Sequence, residues 1–360
     1  MPTESLSPTL PKQEIQVSSS LLRITGFTLL LVALLLAVAL VSMMSGPVEL
    51  GITQLWNTLW DADRATAAER MVVWELRLPR LLLGLLVGAS LALAGAALQG
   101  LFRNPLADAG LLGVSSGAAL AAVAFIVLGD SLFAGWSARF GRLALPLAAF
   151  GGGLLVTLAT WQFARRDGST PVASLLLAGI AINAIAGAGT GLLTYVADDL
   201  ELRSLSFWTM GSLAFASWSD LQVVAPWMLG GCLLMLPLSK PLNAFLLGEN
   251  IAGHLGYSTE RIKGMLVVLS ALVVGAAVAM TGPIGFVGLL VPHMVRQVAG
   301  ANHQALLPLS ALAGALLLVA ADTVCRTLVA PAELPIGLVM ALIGGPFFLL
   351  MLGKAVHEHA

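Results

Sequence analysis

Apolar runs about as long as a bilayer is thick recur along almost the whole chain, and nothing constrains its fold more. They suggest themselves at 26–42, 81–102, 109–129, 144–164, 172–196, 221–239, 264–282, 285–299, 305–325 and 336–353. A helix needs about 20 mostly apolar residues to cross the hydrocarbon core, and its backbone must satisfy itself there. The pattern predicts an all-α integral membrane protein with about ten transmembrane helices in one domain over 21–356. At 58% hydrophobic and 10% charged residues, the composition leaves no room for a large soluble domain. The polar, Pro- and Ser-rich residues 1–20 read as a disordered tail, and 357–360 as a C-terminal tail. The first apolar run is longer than a signal-peptide core and lacks a small-residue cleavage site, so it is expected to stay as a span. The 285–299 run is short, with Pro283 before it and Pro292 inside it.

An even number of spans puts both termini on one side. With the termini inside, the inner set is Lys12, Arg23, Arg103, Arg165, Arg166, Lys240, Arg261, Lys263, Arg296 and Lys354. Every lysine falls there, which favours a cytoplasmic N- and C-terminus. The outer set holds only arginines: Arg64, Arg70, Arg77, Arg80, Arg139, Arg142, Arg203 and Arg326. A net charge of -1 argues against nucleic acid as a partner.

Glycines at Gly84/Gly88, Gly113/Gly117 and Gly282/Gly285/Gly288 have spacings that let membrane helices approach closely. Cys232 and Cys325 stand alone in apolar sequence and read as small core residues.

What the spans lack narrows the function. Apart from groups at the inner membrane edge, the ionisable residue within them is Asp322, near the outer end of the ninth. Ion-coupled transporters usually keep such residues in the membrane interior, and a ring of charges for a channel filter is missing too. No phosphate-binding loop occurs; Gly353-Lys354 is followed by alanine. His254, His293, His303, His357 and His359 fall in inner loops, at the inner edge or in the tail, away from mid-membrane. The chain reads as a conduit whose energy comes from a partner. An ion-coupled secondary transporter and a membrane enzyme remain the competing classes.

A partner could dock on 241–263, PLNAFLLGENIAGHLGYSTERIK, between the sixth and seventh spans. Gly248 and Gly256 are placed as left-handed C-caps, Glu249 or Asn250 can open a second short helix, and Ser258 with Glu260 suits the start of the seventh span. Such a hairpin fits a groove on a soluble subunit, although an ordinary interfacial loop has similar features.

Several long strings together resemble one family, the permease subunits of ABC importers for iron-siderophores, heme and vitamin B12. They are Arg77-Leu78-Pro79-Arg80, GLLVGASLALAGAALQGLFRNPLADAGLLGVSSGA, LLLAGIAINA, LGENIAGHLGYSTERIK, GPIGFVGLLVPHMVR and ADTVCRTLVAPAELPIGLVMALIGGPFF. The resemblance implies the type II importer architecture: a homodimer of ten-span subunits in the bacterial inner membrane, two cytoplasmic ATPase subunits that bind ATP and Mg, and a periplasmic binding protein. No cofactor is implied for this chain. By the same resemblance, Leu247, Gly248, Glu249, Asn250, Ala252, His254, Leu255 and Gly256 lie in the coupling helices that seat on the ATPase. Arg77, Arg80 and Arg326 would face the periplasm and pair with glutamates of the binding protein, a role to which guanidinium groups are suited. Asn104, Pro105 and Leu106 are expected at a cytoplasmic gate opposite Pro171 and Val172, and Asn183 and Tyr195 along the path, where a packing role is equally open. The stretch TYVADDLELRSLSFWTMGSL looks most like heme permeases of the family, with ferric siderophore or cobalamin as alternative cargo.

Overall fold

The computed structural model describes residues 12–61 and 63–357. Its helices, in chain order, are α1 (Lys12–Met44), α2 (Ile52–Trp60), α3 (Ala67–Arg70), α4 (Leu78–Phe102), α5 (Val114–Leu132), α6 (Ala134–Phe140), α7 (Ala144–Ala164) and α8 (Val172–Val196). Then follow α9 (Asp199–Met210), α10 (Trp218–Met235), α11 (Ser239–Leu246), α12 (Glu249–His254), α13 (Thr259–Thr281), α14 (Val287–Ala299), α15 (His303–Thr327) and α16 (Ile336–His357). Each of the ten expected spans coincides with one of these helices. Among the described residues, seven helical segments are long and apolar enough to cross a membrane, with Val114–Gly129 and Ile336–Leu350 as shorter apolar helices. The expected 1–20 tail lies outside the described residues up to position 11, and residues 12–20 are a helical extension of α1 instead. Positions 358–360 of the expected C-terminal tail also lie outside them.

We call the end of the bundle that holds α11 and α12 the lower end. Helix α4 is its centre: Val87, Ala92, Ala94, Ala96, Ala97 and Leu98 have no exposed surface. It packs against α15, α14, α13 and α10, and small residues set how closely. At Gly88 a Cβ would sit 2.3 Å from the Gly314 carbonyl oxygen of α15. Gly117 and Gly152 make the same kind of approach between α5 and α7. In a membrane, where burial of apolar surface does not drive helices together, such backbone contact is the main source of cohesion. Of the glycines flagged by spacing, Gly84 makes only ordinary contact and Gly285 has open space.

Helix α14 is only 13 residues long, and irregular chain precedes it. After α13 the segment 282–286 is irregular, and Val287 follows a left-handed Phe286, φ 67°. Irregular backbone at membrane depth is tolerated only where protein satisfies it. Here Ser212 N–H donates to the Thr281 carbonyl (2.7 Å), and Ile336 N–H to the Gly211 carbonyl (3.2 Å), tying α9, α13 and α16 together at the upper end.

Helix α1, by contrast, is exposed along most of its length from Leu22, so lipid is its main neighbour. Faces of α8 (Leu177, Ile180, Leu192) and α16 (Leu342, Leu349) are also exposed and apolar.

Candidate functional site

At the lower end, α11, α12 and the start of α13 form the expected pair of short helices. Gly248 turns the chain with φ 118° and ψ 149°, positive but not the left-handed helical cap expected. Gly256 does cap α12, with φ +88° and Tyr257 N–H reaching back to the Ala252 carbonyl at 3.2 Å. The two helices present Leu246, Leu247, Ile251 and Leu255 as an exposed apolar ridge, with Asn250 and His254 exposed beside it. His254 Nδ1 lies 2.7 Å from the Asn250 carbonyl, which it caps as a donor. Gly248 and Glu249 are half-buried. Ala252, also in α12, is fully buried and anchors the helix from behind, because one side of so short a helix must face the bundle. Ser258 likewise makes no side-chain cap for α13. Glu260 instead accepts the Thr170 N–H at 3.1 Å.

The expected gate residues gather at this same end. Below α4, Arg103 adopts a left-handed conformation, φ 49°, and Asn104 folds its side chain back to accept the Leu106 N–H at 2.9 Å. Pro105 and Leu106 are exposed. Asp108 then caps the turn Ala109–Leu112, and burial pushes its carboxyl above the usual range. Across from this loop, exposed Pro171 and half-buried Val172 open α8.

Of the two path residues, Tyr195 is exposed at the upper end of α8. Asn183 is tied up in packing. Its Nδ2 donates to the Gly110 carbonyl at 2.9 Å, and its Oδ1 accepts from Ser116 Oγ at 2.5 Å. These bonds fasten α8 to α5 and the turn before it.

The upper arginines are held inside the protein. Arg77 and Arg326 are buried, at 6% and 4% exposure. Helix α1 ends at Met44, and its last carbonyls have no partners within the helix. Arg77 donates to the Met43 and Met44 carbonyls at 2.6 and 3.0 Å and also to that of Val48. Arg326 donates to the Ser42 carbonyl and Oγ, both at 2.8 Å. Two cations thus cap the negative end of α1. Asp322 lies between Arg80 (2.8 Å) and Arg326 (3.4 Å), and Glu333 closes the network on Arg80 at 2.9 Å. Glu333, with its side chain 33% exposed, is the member nearest the surface, and Arg80, at 11%, lies behind it. As the chain stands, none of the three displays a free guanidinium group. Sequence showed arginines in an outer loop, but not the helix end they fold onto.

Also at the upper end is a cavity of about 580 Å³ whose walls include Phe207, Trp208, Phe215, Met280 and Leu334 together with the polar Ser204 and Glu333. The Arg142–Asp220 ion pair, 2.9 Å, stands in its wall. Among the described residues no group of three His, Cys, Asp or Glu side chains could hold a metal.

Comparison with known proteins agrees with this arrangement. The chain is 47% identical over 331 residues to the hemin transport system permease protein HmuU of Yersinia pestis, covering 91% of this chain and 94% of that one. It is 40% identical over 328 residues to the vitamin B12 import system permease protein BtuC of Salmonella paratyphi A, covering 89% and 95%. A solved ABC transporter described as of the metal-chelate type, in an inward-facing conformation, superposes with a TM-score of 0.77 at 35% identity, over 92% of this chain and 98% of that one. The FecCD transport family model matches residues 34–354, and with this fold, this lower-end hairpin and these relatives, the chain belongs to that family.

Proposed function

We propose that this chain, an ABC importer permease of the FecCD family, moves heme from a periplasmic binding protein to the cytoplasm as one half of a homodimer. The observation that carries the energetic half of this reading is the ridge Leu246, Leu247, Ile251 and Leu255. It is apolar and exposed at an end of the bundle flanked by charged loops. Exposed apolar patches rimmed by polar residues mark interaction sites, and this one suits the cleft of a separate cytoplasmic ATPase that binds ATP and Mg. The lower end is then cytoplasmic, as are both termini. The exposed apolar faces of α8 and α16 suit a second copy of the chain.

At the periplasmic end, the binding protein docks where Arg80 reaches the surface, with Arg77 and Arg326 acting from behind by holding the end of α1. Asn104, Pro105 and Leu106 with Pro171 and Val172 form the cytoplasmic gate, which opens and closes in alternation with the periplasmic side. Tyr195 lies along the path. Asn183 keeps the gate-bearing helix in register.

Heme as cargo is supported by the 47% identity to a hemin permease and by the aromatic side chains in the walls of the upper cavity. Ferric siderophore and cobalamin are the rival cargoes. Reconstituted permease, ATPase and binding protein, given each cargo in turn, would decide: ATP-dependent uptake of heme alone is the expected result. Equal uptake with the ATPase omitted would end the reading altogether.

A further inference from the structure

One buried cation at the lower end is used by neither the ridge nor the gate. Lys263, on the second turn of α13, has a side chain only 2% exposed, although sequence places it in a basic inner loop. Its ammonium group lies 2.5 Å from Glu249 Oε1, 2.5 Å from Glu260 Oε1 and 2.8 Å from the Thr170 carbonyl. An ammonium has three N–H donors, and three oxygens surround this one.

The partners belong to different elements. Glu249 is the first residue of α12. Thr170 immediately precedes Pro171, where α8 begins. Glu260 belongs to α13 and also accepts the Thr170 N–H at 3.1 Å, so both peptide groups of Thr170 are gripped by α13 side chains. The loop that delivers Thr170 has no slack. Arg166 and Ser169 exchange both backbone hydrogen bonds, 2.8 and 2.9 Å, across Asp167 and Gly168, whose φ values of 48° and 80° make the tight mirror-image turn that Asp-Gly favours. The covalent link from α12 to α13 runs through Gly256, held at φ +88° by the cap on α12, and includes neither Thr170 nor any residue of α8. Breaking one arm of a buried ion pair leaves an uncompensated charge, so the node resists being pulled apart.

We infer that Lys263 is the positioning residue through which displacement of α12 reaches the inner end of α8, making movement of the ATPase-docking segment and movement of the gate a single event. This rests on reading α11 and α12 as the docking segment. Without the lysine, the Glu249–Lys263–Thr170 link would be gone, and α12 would move while Pro171 and Val172 stayed in place.

The test uses the full complex of permease, ATPase and binding protein in proteoliposomes, with Cys232 and Cys325 replaced and a reporter cysteine at exposed Gly253 or Ala173. In Lys263→Met, ATP should still change labelling at position 253 but no longer at 173. Uptake per ATP hydrolysed should fall about tenfold, within the range usual for coupling between sites. Lys263→Arg should recover part of it. Wild-type uptake per ATP in Lys263→Met, or an undiminished ATP response at 173, would overturn the inference. If Lys263→Met does not assemble, Glu249→Gln decides: a lower uptake-to-ATP ratio supports the strut, an unchanged ratio refutes it. A wild-type complex without ATP-dependent uptake would refute instead the docking reading beneath it.

Discussion

Gly95 and Gly288 meet where α4 crosses α14, so closely that a Cβ on Gly95 would lie 1.9 Å from the Gly288 carbonyl oxygen. No side chain is accommodated without separating the helices. Gly95→Val should therefore destabilise the permease by about 1–3 kcal/mol or more, as overpacking does. Gly285→Ala, with nothing within 4 Å, should be close to neutral. Thermal unfolding of both variants in nanodiscs would compare them; equal melting temperatures would contradict the contact.

Asp322 is the buried carboxylate shared by Arg80 and Arg326. Replacing it by alanine leaves Arg80 to Glu333 alone and strips Arg326, beside Arg77, of its carboxylate. The expected loss is about 3–5 kcal/mol, the usual cost of stranding buried charge. A drop in yield and melting temperature should appear in detergent without any partner present.

Arg77 and Arg80 should behave differently when reversed to glutamate. Arg77→Glu would turn a carboxylate toward the Met43, Met44 and Val48 carbonyl oxygens, so folded protein itself should be lost. Arg80→Glu sets a third carboxylate beside Asp322 and Glu333, so it too should cost stability, but the protein that folds should bind the binding protein more weakly in a salt-sensitive way. Titrating the binding protein against folded permease at two ionic strengths checks this; unchanged affinity at low salt would remove Arg80 from the interface.

The apolar ridge predicts a loss confined to assembly. Leu247→Asp and Ile251→Asp place charge on side chains 63% and 48% exposed, so the free permease should fold normally. Each should weaken ATPase binding by about 2 kcal/mol, roughly thirtyfold, if the ridge fills the ATPase cleft as a hot spot does. Co-purification of the ATPase with each variant is the measurement.

Asn183→Ala removes a donor to the Gly110 carbonyl and an acceptor for Ser116. It should cost about 1–3 kcal/mol of stability, while uptake per folded complex stays near normal. A selective fall in uptake rate with stability intact would return Asn183 to the translocation path.

Sequence by itself determined the membrane, the spans, the pair of short helices between the sixth and seventh spans, and the family. Each follows from local patterns: apolar runs whose length the bilayer sets, glycine and acidic residues at helix ends, and strings long enough to mark kinship. It could also show that Gly88, Gly117 and Gly288 suited close packing, because small residues at helical spacing are visible in one dimension. Only the tertiary structure decided which charges are free. Arg77 and Arg326 lie far along the chain from the α1 carbonyls they cap, and Lys263 is 93 residues from the Thr170 carbonyl it holds. Whether an arginine or lysine meets solvent or a partner inside the protein depends on which helix ends are brought beside it, and no local pattern encodes that. Asn183 follows the same rule: its residue type left packing and path equally open, and only its neighbours show the bonds it makes to Gly110 and Ser116.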